Sequence, residues 1–186
     1  AAGVPGSVAG LAYVHKKYGK LPWKDVVAPA IALAENGVVL TDAMANSLRA
    51  AQKLLGRFPE STRIFLNGGA LFSRGDRLVQ PDLARTLRAI AEHGADGFYK
   101  GPVADLIVAE MQRTGGLISK DDLAAYTPVE RETVRGTYRG HDIISMPPVS
   151  SGGIALIQTL NILEGFALGT FGAHSSKSVH HIAEAT

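Results

Sequence analysis

Pro128 divides this sequence into two kinds of pattern, and the division limits the folds open to it. Upstream, apolar residues recur at helical spacing and most runs close on glycine. Downstream, β-branched and aromatic residues come first, then one more apolar helical run. The pattern predicts an α+β class, mainly helical over 1–127, with a β-hairpin plus helices over 128–186.

The upstream runs can be read one at a time. Val8, Leu11, Ala12 and Val14 form a short set closed by Gly19. Val26, Val27, Ala30, Ile31 and Ala34 run to Gly37, and Pro29 inside them predicts a kink or two short helices. Thr41 is placed to cap a helix whose stripe is Met44, Leu48, Ala51 and Leu55, with Asp42 in its first turn. Residues 59–78 are less regular, and Ile64-Phe65-Leu66, Gly68-Gly69 and Leu71-Phe72 fit a small hairpin or a packed loop. Pro81 and Gly101-Pro102 open two further helices, closed by Gly94 and by Gly115-Gly116. Ser119 and Asp122 have the spacing of a capping box.

After Pro128, Thr133 to Tyr138 and Ile143-Ile144 read as two strands joined at Arg139-Gly140. Pro147 and Pro148 require an extended connection. Ile154, Leu156, Ile157, Leu160, Ile162 and Leu163 then cover nearly every side of a helix, which predicts burial on most faces against the hairpin.

Charge and composition exclude several functions. The net charge is +2, and Lys16, Lys17, Lys20 and Lys24, the densest basic group, read as a solvated helix face. No basic stripe with interleaved aromatics occurs, so nucleic acid is not an expected partner. Without cysteine there is no disulfide, thiolate nucleophile or cysteine-ligated zinc. No run approaches the roughly 18–20 apolar residues needed to cross a bilayer. The first residues lack a basic and then apolar leader pattern. With Ala1 first and Thr186 inside a helical pattern, the chain is expected to be an internal stretch of a longer protein.

Three groups of residues invite a chemical reading. Ser150-Ser151-Gly152-Gly153 precedes a helix, where free N–H groups and the positive dipole end could receive a carboxylate or phosphate, or where serine simply caps the helix. The turn lacks the lysine and spacing of a P-loop. His180, His181 and Glu184 could share a helix face, but zinc hydrolases use three protein ligands and this is not H-E-x-x-H, so no metal site is expected. Asp121, Asp122 and Glu110 could be imagined as acid–base carboxylates, yet the capping box already accounts for Asp122. Residue types alone give no catalytic constellation.

A succession of motifs adds to this. Val4-Pro5-Gly6-Ser7-Val8-Ala9-Gly10, Tyr18-Gly19-Lys20-Leu21-Pro22-Trp23 and Ala34-Glu35-Asn36-Gly37 are followed by Gly75-Asp76-Arg77-Leu78-Val79-Gln80-Pro81. Phe98-Tyr99-Lys100-Gly101, Gly115-Gly116-Leu117-Ile118-Ser119 and Met146-Pro147-Pro148-Val149-Ser150-Ser151-Gly152-Gly153 continue the order. In that order the motifs resemble the large-subunit region of the γ-glutamyltransferase family. The resemblance implies an N-terminal-nucleophile (Ntn) hydrolase, an αββα sandwich made as a precursor that cleaves itself. It implies a threonine at the start of a small subunit as nucleophile, a γ-glutamyl amide such as glutathione as substrate, and no metal or organic cofactor. That nucleophile and the arginine gripping the substrate carboxylate fall outside these residues, so no catalytic residue is carried over. Ser150, Ser151, Gly152 and Gly153 are retained as support for the donor pocket. The partner implied is the small subunit of the same precursor, and the location is periplasmic or secreted. A β-lactam side-chain acylase of the same family and a non-catalytic module of the same fold remain open. The isolated chain is expected to be inactive and to expose surface meant for its missing partner.

Overall fold

A computed structural model describes residues 3–186, which fall into two compact units, one running to Pro128 and the other from Val129 to Thr186. The first unit contains α1 (Ser7–Tyr18), α2 (Trp23–Asn36), β1 (Val38–Val39), α3 (Asp42–Ala50), α4 (Gln52–Leu55) and α5 (Pro59–Phe65). It continues through β2 (Arg77–Leu78), α6 (Pro81–His93), α7 (Asp96–Tyr99), α8 (Gly101–Thr114) and α9 (Lys120–Ala125). The second holds β3 (Val134–Tyr138), β4 (His141–Ser145), α10 (Gly152–Glu164) and α11 (Ser176–Glu184).

In the first unit α2 packs along α6, and the α6–α7, α7–α8 and α8–α9 pairs follow in order. The Trp23 indole N–H donates to the Ile90 carbonyl at 2.8 Å, and Arg88 pairs with Glu35, tying both ends of α2 to α6. Ala9, Tyr99, Ala104, Ile118 and Leu123 form the core, with Val8, Phe98 and Met111 packed around them. Gly115 takes a left-handed conformation that an L side chain would resist, and its N–H returns to the Met111 carbonyl to end α8.

Tyr99 joins the two sides of this core. Residue Gly6 stands at the N-cap of α1 and brings no side chain to the free N–H groups there. The Ala9 N–H donates instead to the Tyr99 hydroxyl at 3.2 Å, and that hydroxyl donates to the Pro5 carbonyl. Burial pushes the Tyr99 phenol above its ordinary pKa. Tyr99→Phe should cost about 1–2 kcal/mol, because it leaves a buried helix-start N–H without a partner. Urea denaturation should show a lower midpoint at unchanged slope.

Three expectations are corrected here. The segment placed in a hairpin or loop is helical at Ile64-Phe65, and Arg77-Leu78 pairs with Val38-Val39 instead, in the register Val38↔Leu78 and Val39↔Arg77. The apolar run was too short to separate helix from strand by periodicity. Of the two alternatives at Pro29, the pair of short helices is ruled out, for α2 runs unbroken from Trp23 to Asn36 with Pro29 inside it. Packing along α6 offsets the one hydrogen bond a proline removes. Conversely, the stripe from Met44 to Leu55 is broken at Ala51 into α3 and α4. The Thr41 cap does form, accepting from the Met44 N–H at 3.3 Å.

In the second unit β3 and β4 pair antiparallel from Val134↔Ser145 to Tyr138↔His141. Arg139 and Gly140 both have positive φ, the geometry of a two-residue hairpin turn that follows the strand twist. The Glu164 carboxylate accepts from the Arg139 N–H at 2.7 Å, and the guanidinium donates to the Phe166 carbonyl at 2.6 Å. α10 therefore lies on the hairpin as a helix layer on a sheet. Its burial is narrower than the sequence implied: Gly153 and Leu163 are buried, whereas Ile154, Leu156 and Ile162 are exposed. An all-round apolar surface records what a helix can bury, and the hairpin of this chain covers one side.

Candidate functional site

Ser150–Gly153 forms the turn that carries the chain from β4 into α10. The Ser150 N–H donates to the Pro147 carbonyl at 3.2 Å, closing a tight turn after the two prolines. The Gly152 N–H donates to Ser150 Oγ at 3.3 Å. Ser151 occupies the N-cap position but makes no side-chain cap; the first bond of the helix runs from the Ala155 N–H to its carbonyl at 2.9 Å. Helix geometry then leaves the Gly153 and Ile154 N–H groups without a carbonyl one turn back.

The two glycines do different things. A Cβ on Gly152 would meet only Ser150 Oγ, at 3.4 Å, so this part of the turn is open. A Cβ on Gly153 would lie 2.1 Å from the Met146 carbonyl oxygen and 2.8 Å from Val134 Cγ2. Gly153 is thus a packing glycine, letting α10 close onto the hairpin. The sequence reads the two glycines as parts of one turn, and of the pair only Gly152 leaves its backbone open to approach. The turn offers N–H groups at the positive end of a helix, suited to a carboxylate or an oxyanion. Ser150 Oγ is engaged by a backbone N–H, an arrangement that supplies no base to withdraw its proton.

Three of the other candidates, His181, Glu110 and Asp122, have structural employment. His181 stacks on Phe166 with centroids 4.3 Å apart and lies 5.4 Å from Phe171, so its ring packs α11 onto the preceding turn. Among the described residues no three His, Cys, Asp or Glu side chains gather where they could hold a metal ion. Glu110 pairs with Arg113 at 2.6 Å, and this partner holds its carboxyl below the usual carboxylate range. Asp122 completes the predicted capping box: Oδ2 accepts from the Ser119 N–H at 2.8 Å and from its hydroxyl at 2.7 Å, while the Asp122 N–H donates to Ser119 Oγ at 3.1 Å.

Those Ser119 donors, the hydroxyl first and then the backbone N–H, lower the Asp122 pKa. The folded value lies below the unfolded one, so its stabilisation is full above about pH 4 and is lost as pH falls through the folded value. Asp122→Asn should remove that step from an acid titration followed at the Ser119 amide, and leave behaviour near neutrality free of any new pH dependence.

The sequence model of the gamma-glutamyltranspeptidase family matches residues 1–186. This chain belongs to the γ-glutamyltranspeptidase family. It is 47% identical over 186 residues to a glutathione hydrolase proenzyme of Escherichia coli (strain K12), covering all of this chain and 32% of that protein. It is 42% identical over 185 residues to the Acylase ACY 1 proenzyme of Pseudomonas sp. (strain SE83), covering 33% of it. The crystal structure of Helicobacter pylori gamma-glutamyltranspeptidase superposes with a TM-score of 0.92 at 46% identity, over 99% of this chain and 53% of that one. This γ-glutamyltranspeptidase-family chain therefore spans about a third of the length of the curated relatives it matches. Its helix-rich α+β architecture agrees with the resemblance drawn from the motifs. Among the described residues no helix is long and apolar enough to cross a membrane.

Proposed function

We propose that this chain is scaffold of an enzyme that hydrolyses or transfers the γ-glutamyl group of glutathione and related amides, with the reacting groups supplied by polypeptide outside these residues. In this reading the precursor cleaves itself, and the threonine that becomes the small subunit's N-terminus is the nucleophile. Its hydroxyl adds to the γ-carbonyl carbon while its own α-amine takes the proton. Backbone N–H groups stabilise the resulting oxyanion. The amine leaves with a proton, and water or an amino acid then cleaves the acyl-enzyme ester. Ser150, Ser151, Gly152 and Gly153 support the donor pocket, Gly153 by fixing the turn and Gly152 by leaving its backbone approachable. The protein is exported to the periplasm or medium.

One observation carries the proposal. The whole chain is 47% identical to a glutathione hydrolase proenzyme while spanning 32% of it. The test compares the full-length parent with the 186-residue chain. The parent should resolve into two subunits by intact mass and release product from a γ-glutamyl anilide, and the chain alone should release none. A parent that stays in one piece without turnover would falsify the reading.

The 42% identity to an acylase proenzyme favours a second reading, in which the substrate is a side-chain amide instead of a γ-glutamyl amide. Turnover of a cephalosporin side-chain amide by the parent, with γ-glutamyl anilide left intact, would select it.

A further inference from the structure

Two of the four asparagines in this chain, Asn36 and Asn67, are followed by glycine, and the fold treats the two pairs differently. In such a pair the glycine nitrogen can attack the side-chain carbonyl carbon of the asparagine, because no side chain of its own shields it or restricts its backbone. Whether the two atoms meet depends on the structure around them. Asn36 ends α2, so its backbone is held in the last helical turn. Gly37 is buried, and a Cβ there would lie 2.6 Å from Arg77 Cγ and 2.7 Å from Val79 Cγ2. The Arg77 guanidinium donates to the Asn36 and Gly37 carbonyls, each at 3.1 Å. Turning this stretch of backbone toward the Asn36 side chain would break both bonds.

Asn67 stands in the turn after α5, where those restraints are absent. Asn67, Gly68 and Gly69 are all exposed, with φ of 49°, 63° and 105°. Nothing lies within 4 Å of a Cβ built on either glycine. The turn is closed by the Gly69 and Leu71 N–H groups on the Leu66 carbonyl, at 2.8 and 3.1 Å, and by the Ala70 N–H on the Asn67 carbonyl at 3.2 Å. The Gly68 nitrogen takes part in none of these bonds. Among the described residues no hydrogen bond holds the Asn67 side-chain amide. Arg63 of α5, Arg77 of β2 and Asp82 of α6 line the same cleft, of about 260 Å³. Arg63 is paired with Glu60 at 2.7 Å and with Asp82 at 2.8 Å, and Arg77 with its two carbonyls, so none of them is free to act as a base. The proton of the Gly68 nitrogen must go to solvent.

We propose that Asn67 is a site of spontaneous deamidation, converted to aspartate and isoaspartate through a succinimide formed with Gly68, while the fold protects Asn36. Hydroxide takes the proton of the Gly68 nitrogen, which adds to the Asn67 side-chain carbonyl carbon. The bond to the side-chain nitrogen breaks, and that nitrogen leaves as ammonia with a proton from water. Water then opens the imide. Cleavage between the side-chain carbonyl carbon and the Gly68 nitrogen gives aspartate. Cleavage between the main-chain carbonyl carbon and that nitrogen gives isoaspartate, with the chain now running through the side chain. Nothing is oxidised or reduced; water is consumed, ammonia is released, and an uncharged amide becomes a carboxylate. The new charge arises in the cleft that Arg63 and Arg77 line, and isoaspartate also lengthens the main chain within a turn closed by three backbone bonds.

The test uses the full-length parent, incubated at mildly alkaline pH both native and in urea, then digested with trypsin and mapped by mass. Cleavage after Arg63 and Arg74 gives peptide 64–74, in which Asn67 is the sole asparagine. Cleavage after Lys24 and Arg49 gives peptide 25–49, in which fragment ions separate Asn36 from Asn46. In the native protein Asn67 should convert at least roughly tenfold faster than Asn36, and in urea the two rates should agree within about threefold. Conversion at Asn67 should rise with hydroxide concentration and yield isoaspartate, detected by labelling with a protein isoaspartyl methyltransferase. Asn67→Gln, whose longer side chain would have to close a larger ring, should abolish the mass change in peptide 64–74. Equal native rates at Asn36 and Asn67 overturn the proposal, as does conversion at Asn67 that needs urea. Aspartate formed without isoaspartate overturns it too. These readouts follow peptides and not turnover, so the proposal stands or falls apart from the enzymatic reading.

Discussion

Replacing Gly97 with alanine is expected to cost about 3 kcal/mol or more. A Cβ there would lie 2.0 Å from the Ala89 carbonyl oxygen, 2.4 Å from its carbon and 2.9 Å from the Ile90 nitrogen. All three atoms belong to the backbone of α6, so no rotamer change relieves the clash, and α7 must move as a body. That helix is four residues long and carries Tyr99, whose hydroxyl holds both Pro5 and the start of α1. Displacing α7 therefore withdraws the cap from α1 as well. The measurement is a urea denaturation series on Gly97→Ala, Tyr99→Phe and the double variant. The double variant should lose less than the sum of the singles, since one displacement already breaks the bond the other removes. Gly10→Ala is the control, because nothing lies within 4 Å of a Cβ there and an interior helix position should gain up to about 1 kcal/mol. Full additivity, or an unaffected Gly97→Ala, would show that α7 is not wedged as described.

These effects mark what was legible in the sequence and what was not. Local chemistry read well: Thr41, the Ser119–Asp122 box, Gly115 and the Arg139-Gly140 turn each act within a few residues of themselves. Three-dimensional closeness did not. Gly97 looks like ordinary punctuation in a glycine-rich sequence and Gly153 like one half of a glycine pair, and only the positions of Ala89 and Met146 show that neither tolerates a side chain. Tyr99 caps a helix that begins 92 residues before it, and sequence spacing does not encode that relation. The apolar content of α10 and of α1 was visible, but the sequence says how much a helix can bury and leaves open which of its faces this chain covers. At the candidate site the motif located Ser150–Gly153 correctly as a helix start, while the division of labour between its two glycines required coordinates.

That division sets up the sharpest contrast in the molecule. Gly153→Ala should destabilise the second unit by about 2–4 kcal/mol, because its Cβ would meet the Met146 carbonyl at 2.1 Å and the Val134 side chain at 2.8 Å. α10 would have to lift from the hairpin, taking the whole turn with it. Gly152→Ala adds the same methyl group one residue earlier and should change stability by less than about 1 kcal/mol, since its Cβ would meet only Ser150 Oγ, at an ordinary contact distance of 3.4 Å, and alanine favours the first turn of a helix. Measured in the full-length parent, the pair separates two roles that one substitution would confound. On the proposed function, Gly153→Ala should lower the yield of processed enzyme along with its stability, whereas Gly152→Ala should process normally and raise KM for a γ-glutamyl donor. Raised KM at unchanged melting behaviour is the signature of a backbone that the substrate approaches. An unchanged KM in Gly152→Ala would confine this turn to scaffolding, with Gly153 still required wherever α10 meets the hairpin.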